Sequence, residues 1–491
     1  MSAPFFKFQG LPMTTGFLPP ELYPLILAFV IRPQHLAICA LVNGTMNAFA
    51  TPMLYENVRV FAWQKGSKQR IMRLFETLAE HPELAKYVRR IELRDYPLLM
   101  GDQAVRIEEV CLRALENAIN LQSCCWTRDG SFSDAVIRTL ARLQQLRELD
   151  FNGHSGSSYN PKSLLALNQL THVSVIMPDR ETGMLLSTWL ELLAPQLRTL
   201  SLICKSSGII TDDMLRRVAP QLSALEQLHL TGCTRITAAC VSEILSASEP
   251  GIASLRLEGL HFAFDLKHLS SSPRALRSLQ SLTITFIAYH ESEVLSLPAV
   301  QALLLHTPRL AELNLHPPPP ATRARLPESF ISELVRLHGV RLRKLAINRV
   351  ILGVDELGLV CGGMPRLQQL YITLLEADMS AIAKELRRLP YLHAVHLSFP
   401  FALDAAGILG MSNDDPDSDS SEHEVEQQGY ERAYIDIAKA CPSLSEFGVQ
   451  NRVWQVERVC TRDEAGSWTT EIRLGRRENP AVAEQFLVMR I

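Results

Sequence analysis

The pattern apolar, two free positions, apolar, one free position, apolar recurs thirteen times along the chain. Its clearest copies read LRELDF from Leu146, LTHVSV from Leu170, LRTLSL from Leu197, LEQLHL from Leu225 and IASLRL from Ile252. It continues as LQSLTI (279), LAELNL (310), LRKLAI (342), LQQLYI (367), LHAVHL (392) and LSEFGV (444), with weaker copies VRRIEL (88) and LQSCCW (121). From 121 onward the steps are 25, 24, 27, 28, 27, 27, 31, 32, 25, 25 and 52 residues. The end of each copy alternates like a half-buried strand, with its apolar side chains on one face. One such strand cannot bury that face alone, so the copies must stack into a common core. Between them lie helical patterns, such as 211–222 and 237–248, which Thr211 and Thr237 open as N-caps. The expected class is therefore α/β, with parallel strands that each return through a helix. An ordinary α/β domain whose units happen to rhyme is the alternative, and the near-constant step argues against it.

A period of about 20–29 residues carrying LxxLxL resembles the leucine-rich repeats. The stretch LHLTGCTRIT at 228–237 and the ACPSL at 440–444 resemble their cysteine-containing subclass; Cys233 and Cys441 match, and most other copies lack the cysteine. The resemblance implies a curved solenoid over residues 61–455, about thirteen repeats long, with strands inside and helices on the convex side.

Residues 18–60 do not fit the repeat. Pro19, Pro20 and Glu21 read as a helix start, with proline in the first turn and a carboxylate near the positive end of the dipole. Leu22, Leu25, Ile26 and Phe29 then share a face. After a break at Arg32–Pro33 a second helix carries Leu36, Ile38, Cys39, Leu41 and Val42, and Gly44 divides it from a short third helix around Met46 to Phe49. The segment resembles an F-box. Leu18, Pro19, Glu21, Leu22, Ile26 and Leu27 match the first part of the family pattern, and Leu41 and Val42 match its end. Asn43 and Met46 stand where the family has Cys and Trp. The following ATPMLYENVRV resembles the segment after the F-box in many fungal members. F-box followed by leucine-rich repeats implies a non-catalytic substrate receptor of a Skp–cullin–F-box ubiquitin ligase. The matched residues would contact the Skp adaptor, and through it a cullin. The alternative is an amphipathic helical cap over the first repeat, in a scaffold or inhibitor without ligase association. The two readings differ at the surface: a cap hides its apolar face, whereas an F-box leaves one open to a partner.

On the solenoid reading the free positions of the motif line the inner face, from His172 and Ser174 to Gln369 and Tyr371. They are mixed and polar, and the net charge is −3, so a protein substrate fits better than nucleic acid. His229, Arg256 and Tyr371 are the expected anchors, because aromatic and arginine side chains dominate protein interfaces. No apolar run is long enough for a membrane span, and no signal peptide is read. The expected location is cytoplasmic or nuclear, where the ten cysteines stay reduced. No nucleophile elbow, phosphate loop, zinc-protease or dinucleotide motif is present, so neither enzyme chemistry nor a cofactor or metal is expected. Cys124 and Cys125 are adjacent within a strand pattern and read as core thiols.

Three further segments break the repeat. Residues 1–17 are expected to be disordered, and 456–491 to form a C-terminal cap, a hairpin about Asp463–Gly466. Residues 316–328 read as a stiff proline-rich excursion. Residues 412–428 hold seven acidic residues and no basic ones, which predicts a disordered insertion. Ser412 and Ser421 there each have an acid three residues on, a context for acid-directed kinases. Deleting 412–428 should leave the melting temperature nearly unchanged in a calorimetric scan, since loop length acts only logarithmically; a large drop would show the segment to be packed.

Overall fold

The structure, a computed structural model, describes residues 6–8, 19–30, 32–62, 66–98, 101–261, 264–285, 297–317, 325–399, 432–462 and 468–477. Leu18, the acidic segment with Ser412 and Ser421, most of the proline-rich stretch and the turn at 463–467 lie outside them. The chain is α/β with mostly parallel strands. It divides into two compact units, Gly16–Ala275 and Leu276–Arg490, the second joined by Met1–Thr15 and its short strand β1 (Phe6–Phe8).

The first unit opens with three helices, α1 (Leu22–Leu27), α2 (Pro33–Ala40) and α3 (Gly44–Glu56). Its strands are β2 (Asn57–Val60), β3 (Arg90–Leu93), β4 (Ser123–Trp126), β5 (Glu148–Asn152), β6 (His172–Ile176), β7 (Thr199–Thr211), β8 (Gln227–Arg235) and β9 (Ser254–Glu258). Each pairs in parallel with the next, and one row runs Asn57, Arg90, Ser123, Glu148, His172, Thr199, Gln227, Ser254, each opposite its neighbour. The register is constant because the leucines set it. Leu225, Leu228 and Leu230 are fully buried, and slipping by one residue would turn that face outward. The joints repeat as well: the Arg147 carbonyl accepts from the amides of Thr171 and His172, and the Arg198 carbonyl from those of Glu226 and Gln227.

Helices or short 3-10 turns join the strands, and the starts of several are tied to the element before them. Ser133 Oγ donates to Glu108 Oε1, Ser163 Oγ to Asp134 Oδ1 and Thr237 Oγ1 to Asp212 Oδ2, each at 2.5 Å. Thr237 also caps its own helix, accepting from the Cys240 amide. Thr211 does not act as a side-chain cap: it is the last residue of β7 and pairs with Arg235. Beneath the strands runs a chain of touching aromatic rings, Phe75, Tyr96, Trp126, Phe132, Phe151 and Trp189, with Tyr159 beside Phe132 and Phe151. Such rings bury large apolar areas, and their edge and offset contacts add to the burial itself.

Two sequence boundaries move. The third helix continues past Phe49 to Glu56, although Pro52 lies inside it, because Phe49, Ala50, Met53 and Leu54 pack on one small core. Asn57–Val60, read as part of the segment that follows the F-box, is the first strand of the ladder. All thirteen copies of the motif coincide with strands.

In the second unit β10 (Ser281–Thr285), β11 (Glu312–His316), β12 (Lys344–Leu352), β13 (Gln369–Leu374), β14 (Ala394–Ser398) and β15 (Glu446–Val449) again pair in parallel in order. The chain then reverses at Gln450, which takes a left-handed φ of 52°, and β16 (Arg452–Arg462) runs antiparallel to β15. β17 (Trp468–Arg476) pairs antiparallel with β16. The two strands expected on either side of Asp463–Gly466 are thus an antiparallel pair, the first of them running from Arg452. β16 extends beyond β15, and Phe6–Phe8 pairs in parallel with its projecting part at Arg458–Cys460. Residues 6–8 are thus a strand rather than disordered.

Gly232 shows how tightly β7 and β8 pack. Its φ is +65°, and a Cβ there would collide with the Cys204 carbonyl. Trp189→Ala should cost about 3–5 kcal/mol, because the cavity would open amid packed rings. Thermal or urea denaturation checks this, and a loss below about 1 kcal/mol would mean that the ring chain is not a structural core.

Candidate protein-binding surfaces

The three N-terminal helices build a core too small to hide their own apolar residues. Leu27, Leu36 and Ala50 are buried at its centre, with Val30, Cys39, Ala40, Met46, Phe49, Met53 and Leu54 packed around them. Tyr23 stacks on Phe49 at 6.0 Å between ring centroids. The two positions that depart from the F-box pattern have structural roles here. The Asn43 side chain caps α3 by accepting from the Met46 amide at 2.8 Å, and Met46 packs against the core. Outside remain Leu22, Leu25, Ile26, Phe29, Ile38, Leu41 and Val42, exposed by 38, 63, 48, 53, 62, 85 and 63%. Single exposed leucines are ordinary; seven large apolar side chains within twenty-one residues mark an interaction surface.

Of the residues matched to the F-box, Pro19, Glu21, Leu22, Ile26, Leu41 and Val42 are exposed. Leu27 is not: it is 1% exposed and points into the helical core, so it supports this surface from beneath. Leu25, Phe29 and Ile38 were not assigned to the contact, yet all three are exposed. Their signal was the helical spacing, since Leu25 and Phe29 lie four residues apart beside Leu22 and Ile26.

The second surface is the outward row of strand residues in the first unit. The structure sets His229 opposite Arg256 on neighbouring strands. His229 Nε2 lies 3.1 Å from Ser254 Oγ. Burial pushes its pKa down to about 4, and Arg256 adds to the shift, so the ring is neutral near pH 7. Arg256 Nε lies 3.2 Å from the buried Glu258 carboxylate. Its charge is committed within the chain, while its side chain stays 40% exposed. Tyr371 lies in the other unit and is 3% exposed, packed with Ala346 and Ala394. Its hydroxyl donates to Gln369 Oε1 at 3.2 Å, and Lys344 Nζ lies 5.6 Å from the ring centroid. Tyr371 is therefore a core side chain and not an exposed anchor; Ala346 opposite it on β12 and Ala394, diagonal to it on β14, are small enough to admit the ring.

A third feature was not anticipated. On β2 to β5, Arg59 faces Glu92 at 3.7 Å, Arg94 meets Glu92 at 2.7 Å and Arg90 meets Glu148 at 3.8 Å. Asp150 sits among them, half-buried, with its pKa pushed up to about 6 by desolvation against the pull of Arg90 and Arg94. The signal was the charge at the free positions of NVRV, VRRIEL and LRELDF, which parallel pairing brings side by side. Among the described residues no group of three or more His, Cys, Asp or Glu side chains is placed to hold a metal ion. Cys124 and Cys125 are buried, and burial raises both thiol pKa values well above the ordinary range. Among the described residues no helix is long and apolar enough to cross a membrane.

Searches of the chain against protein-family models and against curated proteins return no match.

The Asp150 carboxyl makes the first unit pH-dependent. Its folded pKa is raised, so its contribution to stability is full below about pH 4 and declines as pH rises through 6. Asp150→Asn should raise stability at pH 7.5 by roughly 1–3 kcal/mol and by progressively less toward pH 4, read from urea midpoints at the two pH values. A pH-independent difference would sink this assignment.

Proposed function

We propose that the chain is the substrate-recognition subunit of a Skp–cullin–F-box ubiquitin ligase. The N-terminal helices act as the F-box, and the strand ladder acts as a leucine-rich-repeat solenoid that holds a protein substrate. The observation that carries this reading is the apolar surface of α1 and α2. A helical cap exists to cover apolar area, whereas these helices leave Leu25, Ile26, Phe29, Ile38, Leu41 and Val42 open. Fully burying side chains of this size is worth about 1.5–3 kcal/mol each. A handful of them therefore offsets the roughly 4–15 kcal/mol that association costs. The regular LxxLxL strands support the second half of the proposal, because adjacent parallel copies are how such repeats bury their leucines. In this role the chain does no bond chemistry; it brings a substrate close to a conjugating enzyme.

The substrate surface fits the half-buried polar row of β6 to β9 best, with His229 and Arg256 in it. In the second unit the equivalent positions Thr283, Asn314, Lys344, Ala346, Tyr371 and His396 are buried while Ser281, Glu312 and Gln369 are not; on β6 to β9 Ser201 alone is buried. The difference favours the first unit.

The test is adaptor binding by the full chain. Ile26→Asp and Leu41→Asp replace exposed side chains, so melting should change little. Each should weaken capture of the Skp adaptor at least about tenfold, since a charge would be forced into an apolar contact. Leu27→Ala should instead lower the stability of the helical unit. Undiminished adaptor binding by both aspartate variants, or none by the wild-type chain, would favour a scaffold without ligase association.

A further inference from the structure

β11 to β14 are each entered from an equivalent turn. Leu310, Leu342, Leu367 and Leu392 are fully buried there, and the residue before each is exposed: Arg309, Arg341, Arg366 and Tyr391. These lie three places before Glu312, Lys344, Gln369 and Ala394, which stand opposite one another along the ladder. The three arginines therefore occupy successive rungs, about 4.8 Å apart. Arg343 follows Arg341 on the same rung, and Arg387 stands in the turn before Tyr391. All five arginines are exposed, and among the described residues none has an ion pair or a side-chain hydrogen bond. The acids around them are already engaged. Glu385 meets Arg388, Asp436 meets Lys439 and Glu446 meets Arg477, each at 2.9 Å, and Glu312 accepts from Ser281 Oγ at 3.0 Å. Past Tyr391 the row runs into an open cleft of about 650 Å³, lined by Arg387, Pro390, Lys439 and Pro442 among others. Pro390 and Pro442 hold equivalent places in the turns before β14 and β15, so the cleft continues the row by one rung.

The turn itself does not demand these charges. In the first unit the same position before β3 to β9 holds Tyr87, Asn120, Gln145, Gln169, Gln196, Ala224 and Gly251, all uncharged. A helix dipole favours a cation near its C-terminal end. That preference would apply equally to Asn120, Gln145 and Gln196, which follow the helices Asp102–Asn117, Asp134–Arg142 and Arg180–Leu193. Arginines at the place of Arg343 in the first unit are engaged within the chain. Arg198 pairs with Glu226 at 2.9 Å, and Arg147 Nη1 donates to the carbonyls of Gln144 and Leu146. Like charges on adjacent rungs repel, so the row in the second unit costs stability until an anion covers it. We infer that this edge of the second unit binds an extended, carboxylate-rich peptide segment of a partner protein, laid across the turns from Arg309 to the cleft. The turns before β11 to β15 span about 20 Å, the length of roughly six extended residues. A guanidinium donates two parallel hydrogen bonds to one carboxylate, which suits a run of Asp or Glu side chains. The net charge of −3 disfavours a nucleic acid, whose phosphates the rest of the surface would repel. The inference stands whether or not the chain serves a ligase. Exposed ion pairs are individually weak, so binding is micromolar and sensitive to salt.

Fluorescence anisotropy of a labelled octaglutamate peptide, titrated with the full chain, tests this. Binding should be micromolar at about 50 mM salt and weaken about tenfold or more by about 300 mM. The triple variant Arg309→Glu/Arg341→Glu/Arg366→Glu should weaken it at least about tenfold, and the triple glutamine variant at the same positions by less. A control, Arg113→Glu/Arg138→Glu/Arg217→Glu, changes the net charge equally at exposed positions of the first unit and should bind like the wild type. All variants should melt with the wild-type chain, because the replaced side chains are exposed. No binding by the wild-type chain, or equal losses in the two reversed triples, overturns the proposal. An eight-residue oligothymidylate bound more tightly than the peptide overturns it in favour of a nucleic acid. A gain in peptide affinity of about tenfold or more on deleting 412–428 overturns it too, since the chain's own acidic segment would then be the occupant.

Discussion

Every other feature of this chain depends on the shared burial of leucines between neighbouring strands. A strand such as Gln227–Arg235 presents Leu228 and Leu230 to a core it cannot complete, and the strands on either side complete it. The same requirement fixes where polar groups go. The free positions between the leucines line up across strands, so a row of unrelated side chains becomes one continuous surface. Hydrogen bonds then follow the spacing, as with the doubled amide contacts on the carbonyls of Arg147 and Arg198. Both the His229–Arg256 juxtaposition and the charge cluster around Asp150 are by-products of that alignment.

The N-terminal helices obey a different balance. They are too short to bury much, and their core is Leu27, Leu36, Ala50 and a ring of partly covered neighbours. Most of the remaining apolar area faces outward. A surface that costs solubility is retained where something covers it, and this is the physical content of the adaptor proposal. The charge on Arg256 is already matched by Glu258, so a substrate approaching this face would meet positioned hydrogen-bonding groups more than net charge.

How far the sequence foretold this differs from one element to another. The strands were legible because leucine spacing is a local property, and each copy announces itself without knowledge of its neighbours. Ile26 and Leu27 were not separable: adjacent residues on a six-residue helix both look apolar, and only the packing of α3 decides which turns inward. Tyr371 was misjudged for a similar reason. Its exposure depends on Ala346 and Ala394, residues 25 and 23 positions away that become its flanks through strand register. The raised pKa of Asp150 is the same kind of property, since the burial that raises it comes from packing against neighbouring strands. Pro52 lies inside α3, yet the side chains around it supply enough packing to carry the helix through.

The constant register of β2 to β9 bears on how such a chain changes over generations. Each internal strand sees an equivalent neighbour on both sides, so a duplication or loss of one whole step, about 25 residues, rejoins matching surfaces. A cut of half that length would set a leucine face against a helix start. Gene-level gain and loss should therefore proceed in whole steps through the middle of the ladder. The start of the first unit's ladder and the finish of the second unit's are different: α3 leading into β2, and the reversal at Gln450 leading into β16, have no duplicate elsewhere among the described residues. Length is the quantity free to drift in such a lineage, and the ends are what it must keep.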